Sequence, residues 1–209
     1  MAMPLQGSLF DEPGPVDLGP LDGLRRTELA GGAWVDVLPG WLTGADILFQ
    51  RLAERVPWHA ERRQMYDRMV DVPRLLKFYD EGEPLPEPIL GRARDALSAY
   101  YASEPGGPFR TVGLCYYRDG RDSVAWHGDR NGRGGTDDTM VAIVSVGAAR
   151  PFLLRPRGGG AETIRHLLGH GDLIVMGGSC QRTWDHAIPK TTRAAGPRIS
   201  VQFRQRGVS

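Results

Sequence analysis

From residue 111 onward, apolar and polar positions alternate in short runs divided by Gly, Pro and Asp, the period-2 texture of strands that bury one face. Eight runs follow one another: TVGLCYYR, DSVAWH, TMVAIVSVG, PFLLRP, ETIRHLL, DLIVMGG, TWDHAI and RISVQFR. Few helical signals interrupt them, which predicts a two-sheet jelly roll or barrel. Upstream the period lengthens. Ile47, Leu48, Leu52 and Val56 form one stripe of a helix over 43–56, with Thr43 as its N-cap and Asp46 in the first turn. A second helix is expected over 88–101, opened by Pro88 and carrying Leu90, Ala93, Leu97, Tyr100 and Tyr101 at helical spacing. The stretch between them, WHAERRQMYDRMVDVPRLLKFYDEGEPLPEP, reads as irregular. Residues 1–33, rich in Pro, Gly and acidic groups without periodicity, read as a flexible arm, with packing beginning near Trp34. The expected organisation is therefore an arm over 1–33 and one domain over 34–209. In that domain 34–110 carries the helices and 111–209 a mostly β core, a jelly roll backed by helices after N-terminal α/β elements.

Composition changes this picture little. A chain of 209 residues that is 41% hydrophobic can bury one core around a closed pocket. With 26 basic and 25 acidic side chains, no global charge draws it to phosphate, so any nucleic-acid contact must come from a local patch. Cys115 and Cys180 make neither a disulfide framework nor a CxxC pair, which suggests a reducing compartment. The N-terminus lacks a basic region followed by an apolar run, and no stretch of about 18 apolar residues occurs. A soluble, cytoplasmic protein without membrane contact is the expectation.

Candidate chemistry begins at His127-Gly128-Asp129. Side chains two apart on an extended segment share a face, so this imidazole and carboxylate can meet one metal. His186, in WDHAIPK, can supply a third ligand and complete a two-His-one-carboxylate set with positions left open. A second triplet, His170-Gly171-Asp172, fits the same spacing but opens the apolar run LIVM and reads as a hairpin turn. His59 and His166 read as a surface and a strand histidine. The last run puts Arg198, Ser200, Gln202 and Arg204 on one face and Ile199, Val201 and Phe203 on the other. Its guanidiniums point either to solvent or into a pocket that holds carboxylates.

Taken together, these segments resemble the AlkB family of dioxygenases over roughly residues 72–204. The His-x-Asp, the distal His and a terminal Arg-x-Asn-x-Thr-x-Arg pattern occur in order, among YYRDGRDSVAWHGD, VSVGAARPFLLR, LGHGDLIVMGG, WDHAIPK and RISVQFR. The members acting on DNA are the most similar. The resemblance implies a double-stranded β-helix core with Fe(II) held by His127, Asp129 and His186, and with 2-oxoglutarate and O2 as co-substrates. Arg198 would pair with the distal carboxylate of 2-oxoglutarate, Arg204 would lie beside the carboxylate that chelates iron, and Tyr117 and Ser200 would contact the co-substrate. Three positions depart from the pattern: Ser200 for Asn, Gln202 for Thr and Cys115 for Asn. Each trims polar contacts in the pocket.

The implied activity is oxidative demethylation of alkylated bases in DNA, with RNA also a candidate, releasing formaldehyde, succinate and CO2. A hydroxylase acting on RNA, protein or a small molecule is the alternative. Asn131 stands where the family often carries an acid that reads the base. Trp126 and Trp184 are candidate pocket-lining rings. Residues 65–87 form the candidate nucleotide-recognition lid, with Tyr66, Phe78 and Tyr79 as its rings and Arg74 as a phosphate grip; Phe78 reads as core. Arg155 and Arg157 are further candidate phosphate contacts. In the arm, Gln6-Gly7-Ser8-Leu9-Phe10 resembles the short peptide by which bacterial proteins dock to the sliding clamp, through Gln6, Leu9 and Phe10. The enzyme is expected to be a monomer.

Overall fold

Each of the eight alternating runs forms a strand. The computed structural model describes residues 15–65, 68–159 and 163–208, with the backbone alone for 62–65 and 68–71. The clamp-like residues Gln6, Leu9 and Phe10 and the lid residue Tyr66 lie outside the described residues or side chains. In chain order the elements are β1 (Asp17–Leu18), β2 (Arg25–Glu28), β3 (Ala33–Leu38), β4 (Leu42–Thr43), α1 (Ala45–Arg55), β5 (His59–Met65), β6 (Arg68–Tyr79) and α2 (Pro88–Tyr100). There follow β7 (Phe109–Tyr117), β8 (Val124–His127), β9 (Val141–Gly147), β10 (Arg150–Pro156), β11 (Ile164–Leu168), β12 (Asp172–Gly178), α3 (Cys180–Thr183), β13 (Trp184–Ile188) and β14 (Arg198–Gln205).

Two sheets face each other. The major one runs β2-β3-β12-β9-β14-β7-β6-β5 and the minor one β11-β10-β13-β8, antiparallel at every pairing. This is a jelly roll. Alternation decides which side chains enter which layer. Leu114, Ile199, Val201 and Phe203 leave the major sheet on its outer face and bury against Leu48 and Leu52 of α1 and Leu90 and Leu97 of α2. Each such side chain contributes about 1.5–3 kcal/mol of burial. The opposite face of the same strands looks into the gap between the sheets, where Ile143, Phe152, Leu154, Ile174 and Met176 make a second cluster.

Three expectations give way. Thr43 does not cap α1: it pairs with Asp17 in the β1–β4 ladder, and the helix starts after Gly44, whose φ of 63° provides the entry turn. The segment between the helices is a hairpin rather than irregular chain. Leu75 to Tyr79 of β6 pair with β7 and satisfy that strand's otherwise open edge, while Pro73 sits where the β5–β6 register breaks, a place that needs no N–H from it. Packing also begins well before Trp34. Arg25–Glu28 adds a strand to β3, and Val16, Leu18, Leu21 and Leu24 pack on the helix-side core, an aperiodic set that no periodicity reading detects.

Candidate active site

Three strands of the minor sheet and the inner face of the major sheet enclose a cavity of about 790 Å³. His127, at the end of β8, is paired across the ladder with His186 of β13, and their ring centroids lie 4.2 Å apart. Asp129 follows just beyond β8, its Oδ1 3.8 Å from His127 Nε2. One ligand atom from each of His127, Asp129 and His186 falls within 4.8 Å of the other two, the one such grouping among the described residues. Gly128 makes the approach possible, because a Cβ there would stand 2.4 Å from the Gln181 carbonyl oxygen. The Asp129 N–H donates to Gln181 Oε1 at 3.0 Å and fixes the loop.

The protonation states suit a divalent cation. His127 Nδ1 lies 2.8 Å from the Ala125 carbonyl oxygen, which requires a proton on Nδ1 and leaves Nε2 facing Asp129. Burial, and then the neighbouring His127, push His186 down to about 3, so its imidazole is neutral at neutral pH. Burial pushes the Asp129 carboxyl upward, but Arg204, then His186 and His127, outweigh it and hold the group at about 2. A carboxylate and two imidazoles, that of His186 neutral, are the donor set of an iron site with open positions. Phe152, which also lines the cavity, stacks on His186 with ring centroids 5.4 Å apart.

Across the cavity, Arg198, Ser200, Gln202 and Arg204 of β14 all face inward. Arg198 is 1% exposed; its Nε donates to Ser145 Oγ at 2.8 Å and its guanidinium stands 5.3 Å from the Tyr117 ring centroid. Its Nη1 is buried without a hydrogen-bond partner, and among the described residues no carboxylate pairs with it. Burial lowers its affinity for its proton, a cost that an incoming anion removes. Burial, then Cys115, push the Tyr117 hydroxyl up to about 12, so it stays a neutral donor. A carboxylate-bearing co-substrate fits this end of the cavity.

Among the substrate-side candidates, Asn131 sits exposed at the cavity wall. Arg74 lines the cavity with its Nη1 donating to the Ser123 carbonyl at 3.1 Å; it is turned inward rather than held out as a phosphate grip. Tyr79 also borders the cavity, yet its side chain is buried with the helix-side core. Neither tryptophan lines it. Trp126 carries the Arg155 guanidinium 4.1 Å above its ring, and Trp184 is buried with its indole N–H on the Ala30 carbonyl, the acceptor that a buried indole needs. Arg157 is exposed. Phe78 is not core: it is 50% exposed and borders the cavity. Its two-residue step from buried Leu76 along β6 is the signal that would have found it. Arg150 was not singled out by its sequence context. It is 1% exposed and binds the carbonyls of Asp119, Asp122 and Pro189, bracing the loop before β8.

Residues 78–204 match the model of the 2OG-Fe(II) oxygenase superfamily. The chain is 30% identical over 191 residues to "Alpha-ketoglutarate-dependent dioxygenase alkB homolog 3" of Rattus norvegicus, covering 81% of this chain and 63% of that one. It is likewise 30% identical over 183 residues to "DNA oxidative demethylase ALKBH2" of Bos taurus, covering 77% and 64%. The chain thus spans just under two thirds of the length of these relatives. The solved structure of OsALKBH1 superposes with a TM-score of 0.56 at 14% identity, over 87% of this chain and 100% of that one, a likeness of fold. The family's metal and co-substrates are Fe(II), 2-oxoglutarate and O2; the grouped His-Asp-His donors and the buried guanidinium with its partnerless Nη1 fit the first two. Fold, donor set and matched segments together make this chain an AlkB-type member of the 2OG-Fe(II) oxygenase superfamily.

Proposed function

We propose that this chain is an Fe(II)- and 2-oxoglutarate-dependent dioxygenase that demethylates alkylated bases in nucleic acid, DNA foremost. The observation that carries the reading is one cavity in which His127, Asp129 and His186 stand opposite a buried Arg198 whose Nη1 has no partner. Iron held by these residues would, with 2-oxoglutarate and O2, supply the oxidation of an N-linked methyl to a hydroxymethyl, lost as formaldehyde, with succinate and CO2 as the co-products. The protein's share is positional. His127, Asp129 and His186 hold the metal on one side and leave positions open. Arg198 takes the distal carboxylate of 2-oxoglutarate in charge-assisted hydrogen bonds, with the Tyr117 hydroxyl as a neutral donor beside it. Arg204 keeps Asp129 ionised and turned. Exposed Phe78 and Asn131 border the cavity and offer a ring face and an amide to an entering base. The names of the relatives, one a DNA oxidative demethylase, support the substrate class.

The test is formaldehyde and succinate release from matched DNA and RNA oligonucleotides carrying 1-methyladenine or 3-methylcytosine, with an etheno adduct read by its loss. Release from the DNA strands is the expected result. Turnover on a protein or small molecule with none on any nucleic acid moves the assignment to the alternative class. We further propose a cytoplasmic monomer; its two cysteines, both free and buried, agree with a reducing compartment. Docking to a sliding clamp through Gln6, Leu9 and Phe10 is tested by a pull-down that Leu9→Ala with Phe10→Ala should abolish.

A further inference from the structure

The three positions that depart from the AlkB-like pattern are in mutual contact. Ser200 faces Cys115 across the β14–β7 ladder, and Gln202 Nε2 lies 3.3 Å from Cys115 Sγ and 3.5 Å from Ser200 Oγ. The other end of the amide is committed as well: Gln202 Oε1 accepts from Arg204 Nη2 at 2.6 Å. Because a guanidinium only donates, this contact fixes which way the amide points. Arg204 Nε in turn donates to Asp129 Oδ2 at 3.0 Å. Its remaining Nη1 fills the space over Gly113, where a Cβ would come 2.7 Å from it and 3.0 Å from Phe78 Cε1. A line of contacts thus runs from the β7 sulfur through Gln202 and Arg204 to a metal ligand.

An arginine tied by one contact can swing to other acceptors; one tied at Nε and Nη2 and boxed in at Nη1 cannot. Threonine at position 202 would end well short of Arg204. The geometry points to Gln202, seated on Cys115 and Ser200, as a positioning residue that holds Arg204 on Asp129 and thereby sets metal affinity, while co-substrate affinity is left to Arg198. The division follows from the hydrogen bonds: Arg204 has two donors already spent inside the protein, whereas Arg198 keeps a buried Nη1 free.

This inference rests on the metal-centre reading of the site, and one titration separates the two. The probe is Mn(II), with binding followed by its paramagnetic resonance signal, and the 2-oxoglutarate KM is read from succinate formation. Gln202→Met keeps length but removes all three hydrogen bonds; Gln202→Glu keeps the acceptor facing Arg204. Gln202→Met should weaken Mn(II) binding about tenfold while moving the 2-oxoglutarate KM by less than about twofold, and Gln202→Glu should recover the Mn(II) affinity. Arg198→Ala should do the reverse, raising KM and sparing Mn(II). Should Gln202→Met fail to fold, Cys115→Val, which removes only the seat, should still weaken Mn(II) binding about threefold. Unchanged Mn(II) affinity in the folded variant, or a loss that Gln202→Glu does not recover, overturns the proposal. A wild-type protein that binds no Mn(II) overturns the metal centre itself.

Discussion

His127-Gly128-Asp129 and His170-Gly171-Asp172 are the same tripeptide with opposite fates. In the first, Asp129 is buried against Arg204, His127 Nε2 lies 3.8 Å from Asp129 Oδ1, and His186 stands across the ladder. In the second, every ligand atom is spent on the fold. Asp172 Oδ1 accepts from the Gly40 N–H at 2.8 Å and Oδ2 from the Gly169 N–H at 2.7 Å. His170 Nδ1 accepts from the Gly147 N–H at 2.7 Å, and its Nε2 faces Asp46 at 3.1 Å. The glycines differ too. Gly171 is needed for its φ of 83° in the β11–β12 turn, and Gly128 for the closeness of Gln181. Backbone N–H groups claim both oxygens of Asp172, whereas Asp129 accepts from Arg204 and keeps two imidazoles beside it.

The largest effect that can break this comparison is on metal binding. Asp129→Ala and His186→Ala should each weaken Mn(II) binding by more than about 100-fold and abolish succinate formation, while Asp172→Ala leaves both within about twofold. Metal loss in Asp172→Ala, with retention in a folded Asp129→Ala, would exchange the roles of the two triplets.

A smaller, pH-dependent effect reports the burial of His186. The folded pKa of His186, about 3, lies below its ordinary 6.5, so the unfolded chain binds the proton that the native apoprotein refuses. Stability should therefore fall as pH drops from about 6.5 toward 3. Asp129, held at about 2 against an ordinary 3.8, adds its own loss only at the acid end of that range. Urea midpoints across this range should slope more steeply for the metal-free wild type than for His186→Phe, which cannot titrate. Equal slopes would show that His186 does not carry the dependence.

The smallest effect falls on the second triplet. His170→Ala should cost about 0.5–1.5 kcal/mol through the lost acceptor of the Gly147 N–H, with little from the solvent-facing Asp46, and should leave Mn(II) affinity unchanged. A destabilisation well above that range, measured by urea unfolding, would mean that the turn is braced by more than this contact.

Sequence alone determined what repeats locally. Alternation is a property of the chain, so the eight core strands, the shared face of Arg198 to Arg204 and the turn at His170 could be read before any contact was known, whereas the cavity set that face inward. The grouping of His127, Asp129 and His186 was legible because His127 and Asp129 share a face and because the ordered segments resemble a family. What the tertiary structure decided was everything set by a neighbour distant in the chain. Pairing with β7 turned an Arg-, Tyr- and Pro-dense stretch into strand β6, and so set Phe78 at the cavity and Arg74 inward. The Ala30 carbonyl drew Trp184 away from the site its position two before His186 suggested. Cys115 and Gln202 are 87 positions apart, and only the ladder between β7 and β14 makes them neighbours. Periodicity fixes the face a side chain takes; which partner meets it there depends on contacts closed over long loops, and those are formed by the fold as a whole.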